Sequence, residues 1–408
     1  MSIDFQNLKL NISRTRPLGY KYPNGLSFGS NDFFDVATPT LSQSTNFVTA
    51  VNESTPAPAP SGPNGLEHTA GTANTSMQWN SSGTFVPIFT GDVEVLVVAG
   101  GGGAGVGGGG AGGLTYASNQ PVTKDTTYNC LVGAGGIWNG TYTGGPPASP
   151  HHPSSPGNIQ GPNAWQRGGY SSNIAEMPIT TTGGGGGANP ASTTGDNSTF
   201  GWNVGGPGGS SGGGAIGRYY HGGSYTNQNG GTSSSVAGQG NPGGSSLFGS
   251  AGTFPYGMSG AGGGAGQAGE SGNLLNVGAA GGDGLEYSIS GSPVYYAGGG
   301  GGGGGFLNNS AGAPDCMTST EGAGGNGGGG DGAYGAFGGV PGGTPGWPHP
   351  APVSNGPATA GVANRGGGGG GGISGQSLGP IPGQNGGSGV IIIRFRTFQR
   401  LDDHFFID

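Results

Sequence analysis

The chain has 408 residues, of which 105 are glycine and 30 proline; only 7% are charged, and the formal net charge is −8. Such sparse charge excludes disorder driven by charge repulsion, and the lack of basic clusters excludes a nucleic-acid binder. A chain in which glycine and proline make up about a third of the residues cannot build an ordinary side-chain core, so its order must come from backbone chemistry.

Residues 1–60 carry short aromatic and alternating stretches, such as Ile3-Asp4-Phe5 and Phe33-Phe34-Asp35-Val36. They also hold Lys9, Arg14, Arg16 and Lys21, four of the chain's 11 cations. We read them as an N-terminal attachment arm. The segment from Thr55 to Pro63 alternates proline with alanine and reads as a stiff polyproline II linker leading into a Pro/Gly/Ser-rich stretch, 61–76. No apolar run reaches the length of a signal peptide or of a membrane span. The expectation is a soluble protein made in a cytoplasm, with no membrane insertion.

From Met77 to Phe89 the pattern predicts one or two strands. Val93-Glu94-Val95-Leu96-Val97-Val98-Ala99 is the strongest strand signal, apolar on both faces and therefore expected to be buried on both. Thr126 to Val132 is a further candidate. Glycine runs then dominate: 100–113, 183–187, 205–214, 260–266, 298–305, 324–330, 366–372 and 386–389. Val390-Ile391-Ile392-Ile393-Arg394-Phe395-Arg396 makes a second strong strand, predicted to pair with Val93–Ala99 and close the body at its base. We take 77–396 as one glycine-rich domain. The tail 397–408 ends in Phe405-Phe406-Ile407, and that much apolar surface is expected to dock.

A glycine strand gains nothing from side-chain packing. Polyproline II geometry has three residues per turn, a rise of about 3.1 Å and outward-pointing N–H and C=O groups. Bare glycine helices of this kind can therefore approach closely and hydrogen-bond sideways, with Cα–H···O contacts adding about 0.5–1 kcal/mol each. The predicted fold class is all-β/irregular: a small β region at the base, a polyglycine II helix bundle, and the intervening insertions as long tip loops. A branched side chain inside a run, as in Gly303→Val, should not be tolerated.

Several patterns imitate known chemistry. Gly100-Gly101-Gly102-Gly103-Ala104-Gly105 after a strand satisfies G-x-G-x-x-G, but a dinucleotide site also needs a helix starting there. Each glycine costs about 1 kcal/mol in a helix, so none is expected. His151-His152 between prolines reads as loop. Cys130 and Cys316 allow one long-range disulfide or two free thiols, and are too few for a cysteine-based zinc site. No catalytic constellation, metal site or cofactor motif is present in the sequence, so no enzyme is expected.

Aromatic residues collect in the insertions. Candidate recognition residues are Trp138, Tyr142, Arg218, Tyr219, Tyr220, His221, Tyr256, Tyr295, Tyr296 and Trp347, because rigid amphipathic rings suit recognition loops. The same rings could instead fold back and cap the bundle.

The entry Val95-Leu96-Val97-Val98-Ala99 plus glycines, and the exit Gly386-Gly387-Ser388-Gly389-Val390-Ile391-Ile392-Ile393-Arg394-Phe395, together resemble the glycine-rich domain of phage tail-fibre and related virion proteins. The resemblance covers roughly 80–396. In style the chain is also similar to the tail-fibre tip adhesins of T-even-like phages, in which stacked polyglycine II helices present receptor-binding loops. It departs from them in its long Pro- and Ser-rich insertions and its own C-terminal tail. The resemblance implies a virion surface protein, a tail fibre or fibre-like adhesin that binds a host cell-surface receptor non-covalently. It further implies contacts with other virion proteins through the N-terminal arm, and assembly as a homo-oligomer such as a trimer. The alternatives are a purely structural fibre or capsid-attached scaffold and, third, an ice-binding protein, which would want more regular repeats.

Overall fold

A computed structural model describes residues 47–53, 74–137, 168–188, 192–193, 204–215, 217–221, 224–228, 234–251, 254–273, 277–303, 320–337, 352–373 and 381–396. Among these the chain is all-β, with small, mostly antiparallel sheets and no helix. The C-terminal tail, most of the arm and linker, His151-His152 and Cys316 lie outside the described residues.

The two strong apolar segments pair as expected. Strands β1 (Phe47–Glu53), β2 (Asn74–Trp79), β18 (Val390–Arg396), β4 (Gly91–Val98) and β5 (Leu114–Val122) form one sheet in that order. Val390 sits opposite Val98, and Ile392 opposite Leu96. Alternation along both strands sends residues to opposite faces. Val93, Val95, Val97, Ile391, Ile393 and Phe395 join one buried cluster; Leu96, Val98, Val390 and Ile392 join another. The first cluster is covered by a second sheet of β3 (Gly83–Phe85), β6 (Tyr128–Leu131), β7 (Ser172–Ile174) and β8 (Ile179–Thr181). Phe85, Tyr128, Cys130, Ile174 and Ile179 fill the space between the two sheets. Cys130 is a free thiol there, pushed up to about 12 mainly by burial and secondarily by the charge of Glu176.

Strand β5 was not expected from sequence, because Pro121 and Asn119 interrupt its pattern. It is an edge strand, where proline removes no ladder bond. The register shift opposite Val93–Val95 and the positive φ of Asn119 (59°) absorb the irregularity. Strands β7 and β8 are too short for their pattern to be read. β1, within the segment read as the arm, extends the sheet by pairing with β2.

The glycine runs stand on this sandwich without forming strands, and their backbone bonds repeat every third residue. In 107–113, the N–H groups of Gly107, Gly110 and Gly113 donate to 182–188. Those of Gly108 and Ala111 donate to 260–263, and those of Gly109 and Gly112 to 366–369. Segment 99–104 repeats the rule: Ala99 and Gly102 donate to 110–113, Gly101 and Ala104 to 384–387, and Gly100 to Tyr170. Its carbonyls at Gly100, Gly101 and Gly102 accept from Gly184, Gly136 and Gly369. The neighbours so recruited are also bonded to one another in turn, through Gly169–Gly184, Tyr170–Ala134, Gly386–Gly136, Gly387–Gly367, Gly109–Gly369 and Gly110–Gly185. The ring around 99–104 is therefore closed, and the amides of Ala99, Gly100, Gly101, Gly102 and Ala104 are satisfied without side chains.

Residues 100–113 do not make one long rod; the run bends at 105–107 and returns beside itself, Gly102 bonding to Gly110. Val106 at the bend is buried with Ala188 and Ala215, which gives the turn a small apolar anchor. The run 205–214 likewise doubles back, Gly212 donating to Gly206. No helix starts at Gly100, so the dinucleotide pattern is spent on lateral bonds.

Candidate recognition surface

The hydrogen bonds define two ends. β4 enters the glycine body at Ala99, which shares a level with Gly113, Gly366 and Gly389 next to the sheet. Val106, Ala188 and Ala215 mark the opposite, distal level. Turns at the sheet end are short: 265–267, 326–328 and 363–366. Gly327 (φ 103°) and Gly328 (φ 92°) make the second of these in a backbone conformation that L side chains rarely adopt.

Among the described residues, three hairpins leave the distal end. β10 (Gly217–His221) and β11 (Ser224–Gln228) follow Ala215; Tyr220 pairs with Tyr225 and His221 with Ser224. Short β9 (Ser192–Thr193) runs parallel to β10. β12 (Leu247–Ala251) and β13 (Phe254–Met258) follow Ser246, whose hydroxyl donates to the Ala215 carbonyl. β16 (Tyr334–Phe337) and β17 (Pro352–Gly356) follow Ala333, whose N–H donates to Gly371. The Tyr334 ring lies over Gly356, its cross-strand partner, and leaves no room there for a Cβ.

Of the sequence-predicted recognition residues, Arg218, Tyr219, Tyr220 and His221 are on β10 and Tyr256 is on β13, all in distal hairpins. Trp138, Tyr142 and Trp347 lie outside the described residues. Ile137, the residue before Trp138, stands beside Gly103 near the distal level. Trp347 belongs to the segment between β16 and β17. Sequence reading passed over Tyr334, which looked like part of a glycine run, and the exposed distal residues Val204, Leu247 and Val277. An apolar residue beside a glycine run carries no periodicity to flag it.

Tyr295 and Tyr296 depart from the tip-loop expectation. They belong to β15 (Val294–Tyr296), paired with β14 (Leu285–Tyr287) in a hairpin at the sheet end. Tyr296 is only 3% exposed and packs with Leu96, Val98, Ile289 and Ile392. It caps the sheet and presents no surface to a receptor. Tyr295 is exposed, but at the opposite end from the other candidates.

A polar clamp ties this hairpin to the sheet. Arg394 pairs with Glu94 at 2.7 Å and donates to the Ser288 carbonyl at 3.0 Å. Tyr116 donates to the same Glu94 oxygen at 2.7 Å and packs against the Tyr287 ring. Burial, the largest single influence on the Glu94 carboxyl, pushes its pKa up. The hydrogen bonds from Arg394 and Tyr116, with the guanidinium charge, outweigh it and hold the pKa below the ordinary value. The Tyr116 phenol is pushed up to about 12, by burial first and then by Glu94.

A carboxylate with a depressed pKa contributes stability above its unfolded value, about 4.3, and loses it as pH falls through the folded one. A phenol with a raised pKa contributes below about pH 10 and loses that contribution as pH rises toward its folded value. The clamp is therefore expected to hold fully between about pH 5 and 10 and to weaken on both sides. In Glu94→Gln the acid-side loss of melting temperature should shrink. Near-ultraviolet absorbance should show one phenol titrating earlier than in the parent. An unchanged titration would mean that the two groups are not coupled. No protein family matches the chain, and neither does any curated protein.

Proposed function

We propose that this chain is a phage virion surface protein, a tail fibre or fibre-like adhesin that binds a host-surface receptor non-covalently through its distal hairpins and loops. The observation that carries the reading is the polarity of the glycine body. Aromatic hairpins leave one end, and the β-sandwich, whose edge strand β1 leads back to residues 1–46, closes the other. In this reading the N-terminal arm attaches to other virion proteins, copies of the chain associate, and the aromatic loops face the receptor.

The body itself is, in our reading, a polyglycine II bundle. The three-residue step of the lateral bonds supports it, because a threefold helix presents its N–H groups in three directions 120° apart. Positive φ among the described glycines is restricted to Gly238, Gly291, Gly327, Gly328 and Gly366, which suits left-handed threefold geometry in the runs. A scaffold held by backbone bonds on every side is rigid, and a rigid base reduces the ordering cost of presenting loops.

The test replaces Tyr219, Tyr220, Tyr256 and Trp347 with alanine together and measures particle assembly and adsorption to host cells. Aromatic anchors that act as hot spots contribute about 2 kcal/mol or more each. Assembly is expected to be normal and adsorption lost. Full adsorption by the quadruple variant would favour the scaffold reading.

A further inference from the structure

A chain this rich in glycine places glycine directly after many of its asparagines and aspartates, and that pairing has a chemistry of its own. The side-chain carbonyl carbon of the first residue is open to attack by the main-chain nitrogen of the second, and a glycine there has no Cβ to obstruct ring closure. Among the described residues such steps are Asp283-Gly284, Asn326-Gly327, Asp331-Gly332, Asn355-Gly356 and Asn385-Gly386. The attacking nitrogen must first leave its hydrogen bond and lose its proton. A paired amide is therefore protected for as long as its bond stays closed.

The backbone network protects all of these steps but one. Gly284 donates to the Asn326 carbonyl at 2.7 Å, Gly332 to Gly322 at 2.8 Å and Gly386 to Gly136 at 2.9 Å. Gly356 is held in the ladder of β16 and β17 opposite Tyr334, whose ring covers it. Gly327 differs. Its carbonyl accepts from Gly298, but its N–H has no partner among the described residues. It lies in the turn 326–328 at a φ of 103°, where the chain leaves the lateral network. Asn326 before it is exposed, with its main-chain N–H held by Asp283 Oδ1 at 2.8 Å. The Asn326 side-chain amide has no partner among the described residues and stands open to water.

We infer that Asn326 is a site of spontaneous covalent modification, with Gly327 supplying the nucleophile. The Gly327 nitrogen gives its proton to hydroxide and bonds to Cγ of Asn326. The side-chain nitrogen leaves as ammonia, and a succinimide ring remains. Water then opens the ring at either carbonyl, so that one water is consumed for each ammonia released and no oxidant or reductant takes part. The products are aspartate and isoaspartate. Either one sets a second carboxylate close to Asp283. In isoaspartate the chain runs through Cγ and is one methylene longer, which loosens the turn that the bonds from Gly284 and Gly298 hold.

Peptide mapping by mass spectrometry tests this on the full chain, kept native in mildly alkaline buffer and sampled over time. Labelling with an isoaspartyl methyltransferase marks the isoaspartate. Product is expected at Asn326 roughly fivefold or more faster than at Asn385, because the Gly386 amide must first leave its bond to Gly136. In denaturant the two rates should converge, since both are Asn-Gly steps once the network is gone. Asn326→Gln should remove the product at this position, because the longer side chain closes its ring far more slowly. Equal native rates at the two positions, or no product at Asn326, would overturn the inference. A preference for Asn326 that persists in denaturant would do the same, by assigning it to the neighbouring sequence instead of the unpaired amide.

Discussion

Replacing Ile392 with aspartate is expected to abolish the cooperative thermal transition of the purified chain, while Ile392→Val lowers it only slightly. Ile392 is 0% exposed and lies in the middle of β18, between β2 and β4. Its side chain sits in the cluster formed with Leu96, Val98, Ile289 and Tyr296. Removing the isoleucine leaves a cavity worth about 2–5 kcal/mol. A lone carboxyl placed there has no charged partner in the cluster and must either lose its hydration or stay protonated at further cost. Together these approach the whole 5–15 kcal/mol or so by which a domain is stable. Valine removes a single methylene and should cost about 0.5–1.5 kcal/mol. Calorimetry of the three proteins checks this. A cooperative Ile392→Asp transition close to the parent's would mean that the glycine body holds itself together without the sheet beneath it.

Gly300→Val is the second large effect. Gly300 is inside the run that follows β15; its N–H donates to Gly109 and its carbonyl accepts from Gly262. A Cβ built on it would overlap the carbonyl of Gly369, a backbone atom with no rotamer through which to escape. Gly303, further along the same run, meets the carbonyl of Gly372 in the same way. Overpacking alone costs about 1–3 kcal/mol, and each lateral bond lost adds about 0.5–1.5 kcal/mol. A fall of at least about 3 kcal/mol is expected. Ala360→Val is the control, because Ala360 is exposed on an outer segment, and it should stay within about 0.5 kcal/mol of the parent. Equal denaturant midpoints for the two variants would count against a bundle built on close backbone approach.

Much of the base was legible before any coordinates. The near-continuous apolar runs Val93–Ala99 and Val390–Arg396 mark two strands that must be covered on both faces, and a two-sided strand needs a partner of its own kind. The glycine runs were legible in a weaker sense: with no Cβ to pack, their amides had to find one another. Neither argument names a partner. A glycine N–H can donate to any carbonyl, so the lateral bonds carry no residue code, and nothing in 100–113 says that it doubles back on itself.

The recognition residues divide along the same line. That aromatic residues collect in the insertions is a property of the sequence, but which end of the body they reach depends on how many times the chain has crossed it. Tyr219, Tyr220 and Tyr256 come after upward segments and belong to distal hairpins; Tyr295 and Tyr296 come after a downward one and lie against the sheet. Arg365 and Tyr295, 70 positions apart, meet only because a turn and a hairpin share the sheet end. The sequence by itself determined the two central strands and the largely backbone-held character of the body, because an unbroken apolar run and the missing Cβ act locally. The pairing of the runs, the edge strand with its proline, and the end at which each tyrosine lies were decided by the tertiary structure. Those depend on turn lengths and on a hydrogen-bond network that is satisfied only when the whole body is assembled.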